Sequence, residues 1–555
     1  MRHVKRVFVL ISTGMVMGGL LGCAGEQAKD TSWTPEILTS ENIYLPDWST
    51  AGYGWGEQEL PQLPATLFAV DFGVMADDNG DDSQALQVAF KAAHESDGPV
   101  VLRLPPGRII LSEILFIERS NFVLQGAGDT ENGTIIYMPK PLSETPDPEE
   151  LTELREYLVV NNKRQREKDR GIDEPFSQYA WSGGFIWVQN SEIQAKIYLK
   201  DYYQEPEVLA EVISGKRGEN SFEVEDASLL IAGESVRINW YNNEGEESSL
   251  IDHLYDEKDV IVGRRHWESP EVPIIKQEVT IMSISGNTVT LKEQLLHDLR
   301  PEWCPTISKW DALTQVGIEG IKFEFPDPDT TYIAHHLEKG YNAIYLTNLT
   351  QSWVKNVSVH NGDSGILADV CSNITVDGGV YTGKLSHYTI MFGDVTSMLA
   401  KNVKVNGPCR HSLSFNTGSR ACVFTQCAVT VAPSLDQHGG ANHQNLFDNI
   451  DIVETQPGRT FFYKGGDGYW SPTHGAFSTF WNINVVFNYE NETGAVIELE
   501  GVPNGPSARL VGLCANYQMN ITYGPDAYLE GINKPGIAVP SLYAYQLEKR
   551  LSAEY

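Results

Sequence analysis

Val354-Lys355-Asn356-Val357-Ser358-Val359 and Ala400-Lys401-Asn402-Val403-Lys404-Val405 carry one pattern twice, Lys-Asn-Val-x-Val. The copies start at 355 and 401, 46 residues apart, or two turns of 23. Between Tyr341 and Ile483 other apolar runs recur in step with them: Ala343-Ile344-Tyr345-Leu346, Gly365-Ile366-Leu367, Thr389-Ile390-Met391-Phe392, Ser412-Leu413-Ser414-Phe415 and Asn445-Leu446-Phe447. After a short polar gap a second run follows, in 354–359, Ile374-Thr375-Val376, 400–405 and 423–431. Strand-sized runs at a fixed period of this length mean stacked units that share one core. Parallel strands on successive coils stack ~4.8 Å apart. The fold class is all-β, a parallel β-helix.

The same period lines up polar residues. Setting Ile390 over Leu413 puts His387 over Arg410 and Tyr388 over His411. One coil earlier these columns hold Asp363 and Ser364, and before that Tyr341 and Asn342. One coil later, with a longer loop absorbed, they are expected to hold Asn442 and His443, then Thr473 and His474. Eight of the thirteen histidines fall between 335 and 474. Polar residues just before a strand sit at a coil corner, where they can point into a groove.

The whole chain, 555 residues with net charge −33, has ample material for a large core and an insertion. Acidity of this size argues against a nucleic-acid partner, because phosphate backbones attract basic surfaces. Arg2, Lys5 and Arg6 precede an apolar stretch, 7–21, too short for a comfortable membrane span. Leu20-Leu21-Gly22-Cys23 resembles the bacterial lipoprotein cleavage box, which implies lipidation at Cys23 and a membrane partner through that anchor. Ala24 after the cysteine implies delivery to the outer membrane. Export permits disulfides, and a Cys422–Cys427 bridge stays open beside the alternative of small buried hydrophobes.

Ala69-Val70-Asp71-Phe72-Gly73, then Asp77-Asp78-Asn79-Gly80-Asp81-Asp82-Ser83, then a helical pattern through Leu86, Ala89, Phe90 and Ala93, opens the folded part. Ser83 is expected to cap that helix. A strand ending Leu104-Pro105-Pro106-Gly107 follows. Together these resemble the N-terminal signature of the pectate-lyase-like superfamily. That resemblance implies a right-handed parallel β-helix whose open end the helix caps, and a carbohydrate-active protein.

The chain then divides into a signal peptide (1–23), a tether and irregular lead-in (24–64), an N-terminal cap with the first coils (65–140), an insertion (141–301), the main β-helix (302–534) and a C-terminal cap (535–555). Within the insertion, 148–170 reads as a charged surface helix, and alternating runs from Asn220 to Leu291 read as a small β subdomain. Its loop Arg264-Arg265-His266-Trp267 could overhang a sugar groove, with Arg265 as a contact.

Three loops converge on the expected groove: His387-Tyr388, Arg410-His411, and 435–443 with Asp436, His438, Asn442 and His443. Tyr463-Lys464-Gly465-Gly466-Asp467-Gly468-Tyr469-Trp470 adds aromatic, charged and flexible residues. In a polysaccharide lyase a cation neutralises a uronate carboxylate, a His or Tyr base removes the C5 proton, and an acid assists departure of the 4-oxygen. Arg410 or Lys464, His411 or His438, and Tyr388 or Tyr463 supply these roles, with His387 and Asp436 beside them. Tyr341, Asn342, Asp363, Asn442, His443, Asp467, Trp470 and His474 complete a substrate-binding set. A C5-epimerase would share the deprotonation. A hydrolase would need paired carboxylates, for which Asp363, Asp436 and Asp467 are the candidates. The residue types rank lyase or epimerase ahead of hydrolase, and a non-catalytic glycan-binding lipoprotein is the non-enzymatic alternative. A polysaccharide is the expected partner and a monomer the expected state. No metal ligands are assigned, and Ca2+ is the one cofactor left open.

Overall fold

The computed structural model describes residues 32–146, 177–190, 205–242, 249–255, 272–328, 337–465, 475–491, 494–503 and 505–553. Its strands build a mostly β architecture, a right-handed parallel β-helix. Six strands, the first two of which run on around a corner, supply the face that positions the site: β1 (Asn342–His360), β2 (Ser364–Asp377), β3 (Ser386–Gly393), β4 (Cys409–Phe415), β5 (Leu435–His438) and β6 (Phe462–Gly465). They pair in parallel through Ile344 with Ile366, Ile366 with Ile390, Ile390 with Leu413, Leu413 with Leu435 and Leu435 with Phe462. That column faces inward and is fully buried as far as Leu435. Apolar side chains at matching positions of every coil bury one another, which is why the 23-residue repeat specifies the stack. A phenylalanine ladder runs beside it, with Phe392 on Phe424 at 4.9 Å, Phe424 on Phe447 at 5.9 Å and Phe447 on Phe480 at 5.2 Å.

The repeated Lys-Asn-Val marks a corner. Asn356 and Asn402 take left-handed backbone conformations, φ 50° and 59°, where Asn is among the few residues tolerated at low strain. Asn402 Nδ2 also donates to Asp377 one coil back, at 2.7 Å.

One coil departs from the expected register. Leu435 follows Leu413 after only 22 residues, with no loop absorbed. Asn445-Leu446-Phe447 belongs to the next face, where Leu446 pairs with Val423 and Phe447 with Phe424. The column through His411 therefore does not continue through Asn442 and His443; His443 bridges to Arg420 instead. Two strong apolar runs competed for one place in the repeat, and the weaker-looking 435–438 took it.

Helix α1 (Ser83–His94) buries Leu86, Ala89, Phe90 and Ala93 against the first coils, with Phe90 5.4 Å from Phe122. Its cap position is Asp82, and Ser83 lies inside the helix. The aspartate run closes its own loop: Asp82 accepts from the N–H of Met75 and Ile110, and Asp81 from that of Ser83.

The insertion contains a closed antiparallel barrel of Val208–Ser214, Ser221–Val224, Ser235–Trp240, Ile275–Ser285, Thr288–Leu291 and Thr306–Lys309. Its last strand lies beyond the expected boundary at 301. Ile186–Val188, inside the expected insertion, pairs with Leu115–Ile117 and with β1, so it belongs to the β-helix. Residues 148–170 lie outside the described residues.

Both termini also depart from expectation. Residues from Trp33 onward are packed, with Trp48 1% exposed and its Nε1 donating to Gln444 O at 2.7 Å. This stretch is a strap along the coils. The C-terminal helix α2 (Leu542–Ala553) does not cap an end. It runs back beside the strap, where Tyr543 Oη donates to Ala51 O at 3.0 Å and the Leu542 N–H to Asp448 at 2.8 Å. Cys422 and Cys427 are free and buried, each Sγ donating to backbone carbonyls, so they form no bridge.

Candidate active site

Ser414 and Asp436 share a register position between inward-facing Leu413, Phe415 and Leu435. Alternation along a strand sends both to the outer side of the sheet. There Ser414 Oγ donates to Asp436 Oδ2 at 2.6 Å. Nδ1 of His411 lies 3.2 Å and Nδ1 of His438 3.4 Å from that same oxygen. Tyr388, paired with His411 across the coil gap, stacks on it with centroids 4.8 Å apart. His438 meets His411 edge to face at 4.6 Å. Asn416 Nδ2 donates to Tyr388 Oη at 3.1 Å. On the far side His387 stacks on Tyr388 at 4.1 Å, and its Nδ1 lies 3.3 Å from Glu338 Oε1. Three successive coils thus bring His387, Tyr388, His411, Asp436 and His438 together.

The cluster is desolvated rather than lining an open groove, as corner residues had been expected to do. Asp436 and His387 are fully buried, His411 is 1% exposed, and His438, at 8%, is the member closest to the surface. Burial acts to neutralise Asp436, but the charges and hydrogen bonds of His411 and His438 outweigh it and hold the carboxyl well below its ordinary range. Burial pushes His411 below the usual imidazole range, against the pull of Asp436. The arrangement is one carboxylate facing the Nδ1 atoms of two histidine rings. A carboxylate at Nδ1 leaves Nε2 of His438 as the nitrogen that can accept a proton. Oriented imidazole, phenol and buried charge are the parts of general acid–base chemistry.

Other expected site residues are elsewhere. Arg410 is exposed, one residue before His411, and is not part of the buried cluster. Asp363 accepts from Lys384 Nζ at 2.5 Å and from the N–H of Gly340 and Tyr341, while Lys384 also lies over the Tyr341 ring at 4.8 Å. Tyr341 and Asp363 thereby build a corner, with Asp363 held by internal contacts. Asn342 is buried and donates to the carbonyls of Tyr179, Ser182 and Gly183, a structural tie. Asn442 is buried and donates to Gly439 O at 2.7 Å. His443 Nε2 lies 2.8 Å from His297 Nε2 of the insertion. Asn342, Asp363, Asn442 and His443 are thus buried within the fold rather than facing a groove, and Tyr341 is half-buried. Tyr463 and Lys464 lie on β6, beside Asp436 and Gln437 in register. Asp467, Trp470, His474 and Arg265 lie outside the described residues, as does Cys23.

Ser414, Glu338 and Asn416 escaped the sequence. Ser414 lies in the repeating run 412–415, but its hydroxyl meets Asp436 only once the coils are stacked. Glu338 precedes the repeat, and Asn416 follows a strand, so column alignment could not reach them. His411, Asp436 and His438 also place one ligand atom each within 4.8 Å of one another, a spacing that could hold a metal ion. Ser414 Oγ donates to Asp436 Oδ2, the oxygen that both imidazoles face.

No protein-family model matches the chain, and no curated protein does. Among solved structures it is similar to the tailspike protein gp49 from Pseudomonas phage LKA1, at 13% identity and TM-score 0.44, over 84% of this chain and 77% of that one. It is also similar to the A-module of the Azotobacter vinelandii mannuronan C-5 epimerase AlgE4, at 10% identity and TM-score 0.31, over 84% and 96%. A third likeness is to the Yersinia enterocolitica family 28 exopolygalacturonase, at 9% identity and TM-score 0.35, over 86% and 80%. At these identities the likeness is one of fold.

Proposed function

We propose that this protein is a polysaccharide lyase that cleaves a uronate-containing polysaccharide by β-elimination, tethered to the bacterial envelope through Cys23. The carrying observation is the buried cluster of Tyr388, His411 and His438 around Asp436. His438, the most accessible member, takes the C5 proton on Nε2. The electrons form the C4–C5 double bond, the C4–O4 bond breaks, and the Tyr388 hydroxyl protonates the departing oxygen. Asp436 orients His438 and stabilises the imidazolium that forms, while His411 buttresses both. Neutralising the uronate carboxylate falls to Arg410 or Lys464. Return of the C5 proton from the opposite face would give an epimerase from the same first step.

The two-carboxylate alternative is less well supported. Asp363 is tied to Lys384 and two backbone N–H groups, and Asp436 is held ionised, so neither is placed to give up a proton. A panel of uronate polymers tests the assignment. New ultraviolet absorbance from unsaturated uronate supports the lyase. Reducing ends without it mean a hydrolase, and retention without turnover means a glycan-binding protein.

A further inference from the structure

Lys276, Gln277 and Glu278 are three consecutive polar residues of a barrel strand, and all three are buried. Lys276 and Glu278 share a face of that strand. Lys276 Nζ lies 2.5 Å from Asp394, which directly follows β3, the strand of Tyr388. Glu278 lies 3.0 Å from Arg420 and also accepts from the Thr396 hydroxyl. Arg420, which follows β4, the strand of His411, reaches Asp394 as well, at 3.0 Å. His297, which follows the barrel's hairpin, meets His443, five residues after His438, at 2.8 Å. Thr396, Arg420 and His443 are themselves bridged coil to coil. Each of the three coils that supply the candidate active site is therefore fastened, just past its site strand, to the insertion.

We propose that the barrel positions the active site: Lys276, Glu278 and His297 fix the relative placement of the coils carrying Tyr388, His411 and His438. This rests on the lyase assignment for its effect on turnover, but not for the fastening itself. Parallel strands set a coil's height through backbone hydrogen bonds. A desolvated ionic network adds a side-chain constraint on that placement, because losing one partner there strands a buried charge. Displacements on the order of 1 Å are enough to cost about 100-fold in catalysis. Lys276 and Glu278 touch no reacting atom and act as positioning residues.

The test uses full-length Lys276→Met, Lys276→Arg and Glu278→Gln proteins. Hydrogen exchange is followed in segments 386–393, 409–415 and 435–438, together with kcat and KM on the polymer that wild type degrades. Lys276→Met and Glu278→Gln should accelerate exchange in those segments selectively and lower kcat about tenfold or more, with KM within about twofold. Lys276→Arg, which keeps the cation, should recover most of the loss. Wild-type exchange and kcat in Lys276→Met would overturn the proposal, as would faster exchange spread evenly over the chain. Should Glu278→Gln fail to fold, the Lys276 pair decides alone. If wild type degrades no polymer, the lyase assignment fails while selective exchange still supports the clamp.

Discussion

Asp436 sits where a carboxylate is costly, without exposed surface, and it stays ionised because His411, His438 and Ser414 surround one of its oxygens. Asp436→Asn removes that charge while keeping the shape. It should lower kcat about 100-fold or more, since the imidazole loses both its orientation and its counter-charge. Ser414→Ala removes one hydrogen bond and should cost about 1 kcal/mol of stability with a smaller kinetic effect. Steady-state kinetics beside thermal unfolding separates the two; an active Asp436→Asn enzyme would remove this carboxylate from the mechanism. At this scale much of the site was readable. His387, Tyr388, Arg410 and His411 fell into columns because the coil length is nearly constant there, and the structure pairs Tyr388 with His411 as that column requires. What the columns could not supply was side-chain direction. Arg410 and His411 are neighbours in sequence, yet one is exposed and the other buried.

The strap and α2 are the elements least evident from sequence, since neither repeats and each reads as a loose end. Their packing is nonetheless deep: Trp48, Ala51, Leu542 and Tyr543 share one apolar cluster with Leu399, Val423, Leu446 and Trp481 of the coils. Trp48→Ala should cost about 3–5 kcal/mol by cavity formation, measured by denaturant unfolding. A loss below about 1 kcal/mol would mean the strap is only loosely attached. The strap also meets the barrel where Trp55 Nε1 donates to Glu293 at 2.6 Å and the Thr280 N–H donates to its other oxygen at 2.8 Å. Burial raises the Glu293 carboxyl to about 7, against those two hydrogen bonds. The folded state then binds this proton more tightly than the unfolded chain does. Its contribution is therefore complete below about 4.5 and is lost as pH rises towards about 7, a few kcal/mol at most. Glu293→Gln should flatten that part of the stability–pH curve, at the expense of one hydrogen bond at low pH. An unchanged slope in the variant would mean that Glu293 does not titrate in this window.

Taken whole, the molecule is a β-helix whose repeat was plain in the sequence and whose insertion was recognisable as β. The coil at 435–438 was misplaced because Pro433 and Ser434 weaken the run before it, while Asn445-Leu446-Phe447 offered a stronger apolar match one face later. The contacts joining barrel, strap and coils were unreadable for a different reason: they are long-range and obey no period. The central claim is that His438, steered by Asp436, removes a proton from C5 of a uronate. The most direct measurement uses a uronate polymer labelled with hydrogen isotope at C5, incubated with wild type and with a folded His438→Ala variant. Wild type should release the label to solvent in step with turnover, and His438→Ala should release none. Chain cleavage by wild type with the label retained at C5, or label release undiminished in His438→Ala, would contradict it.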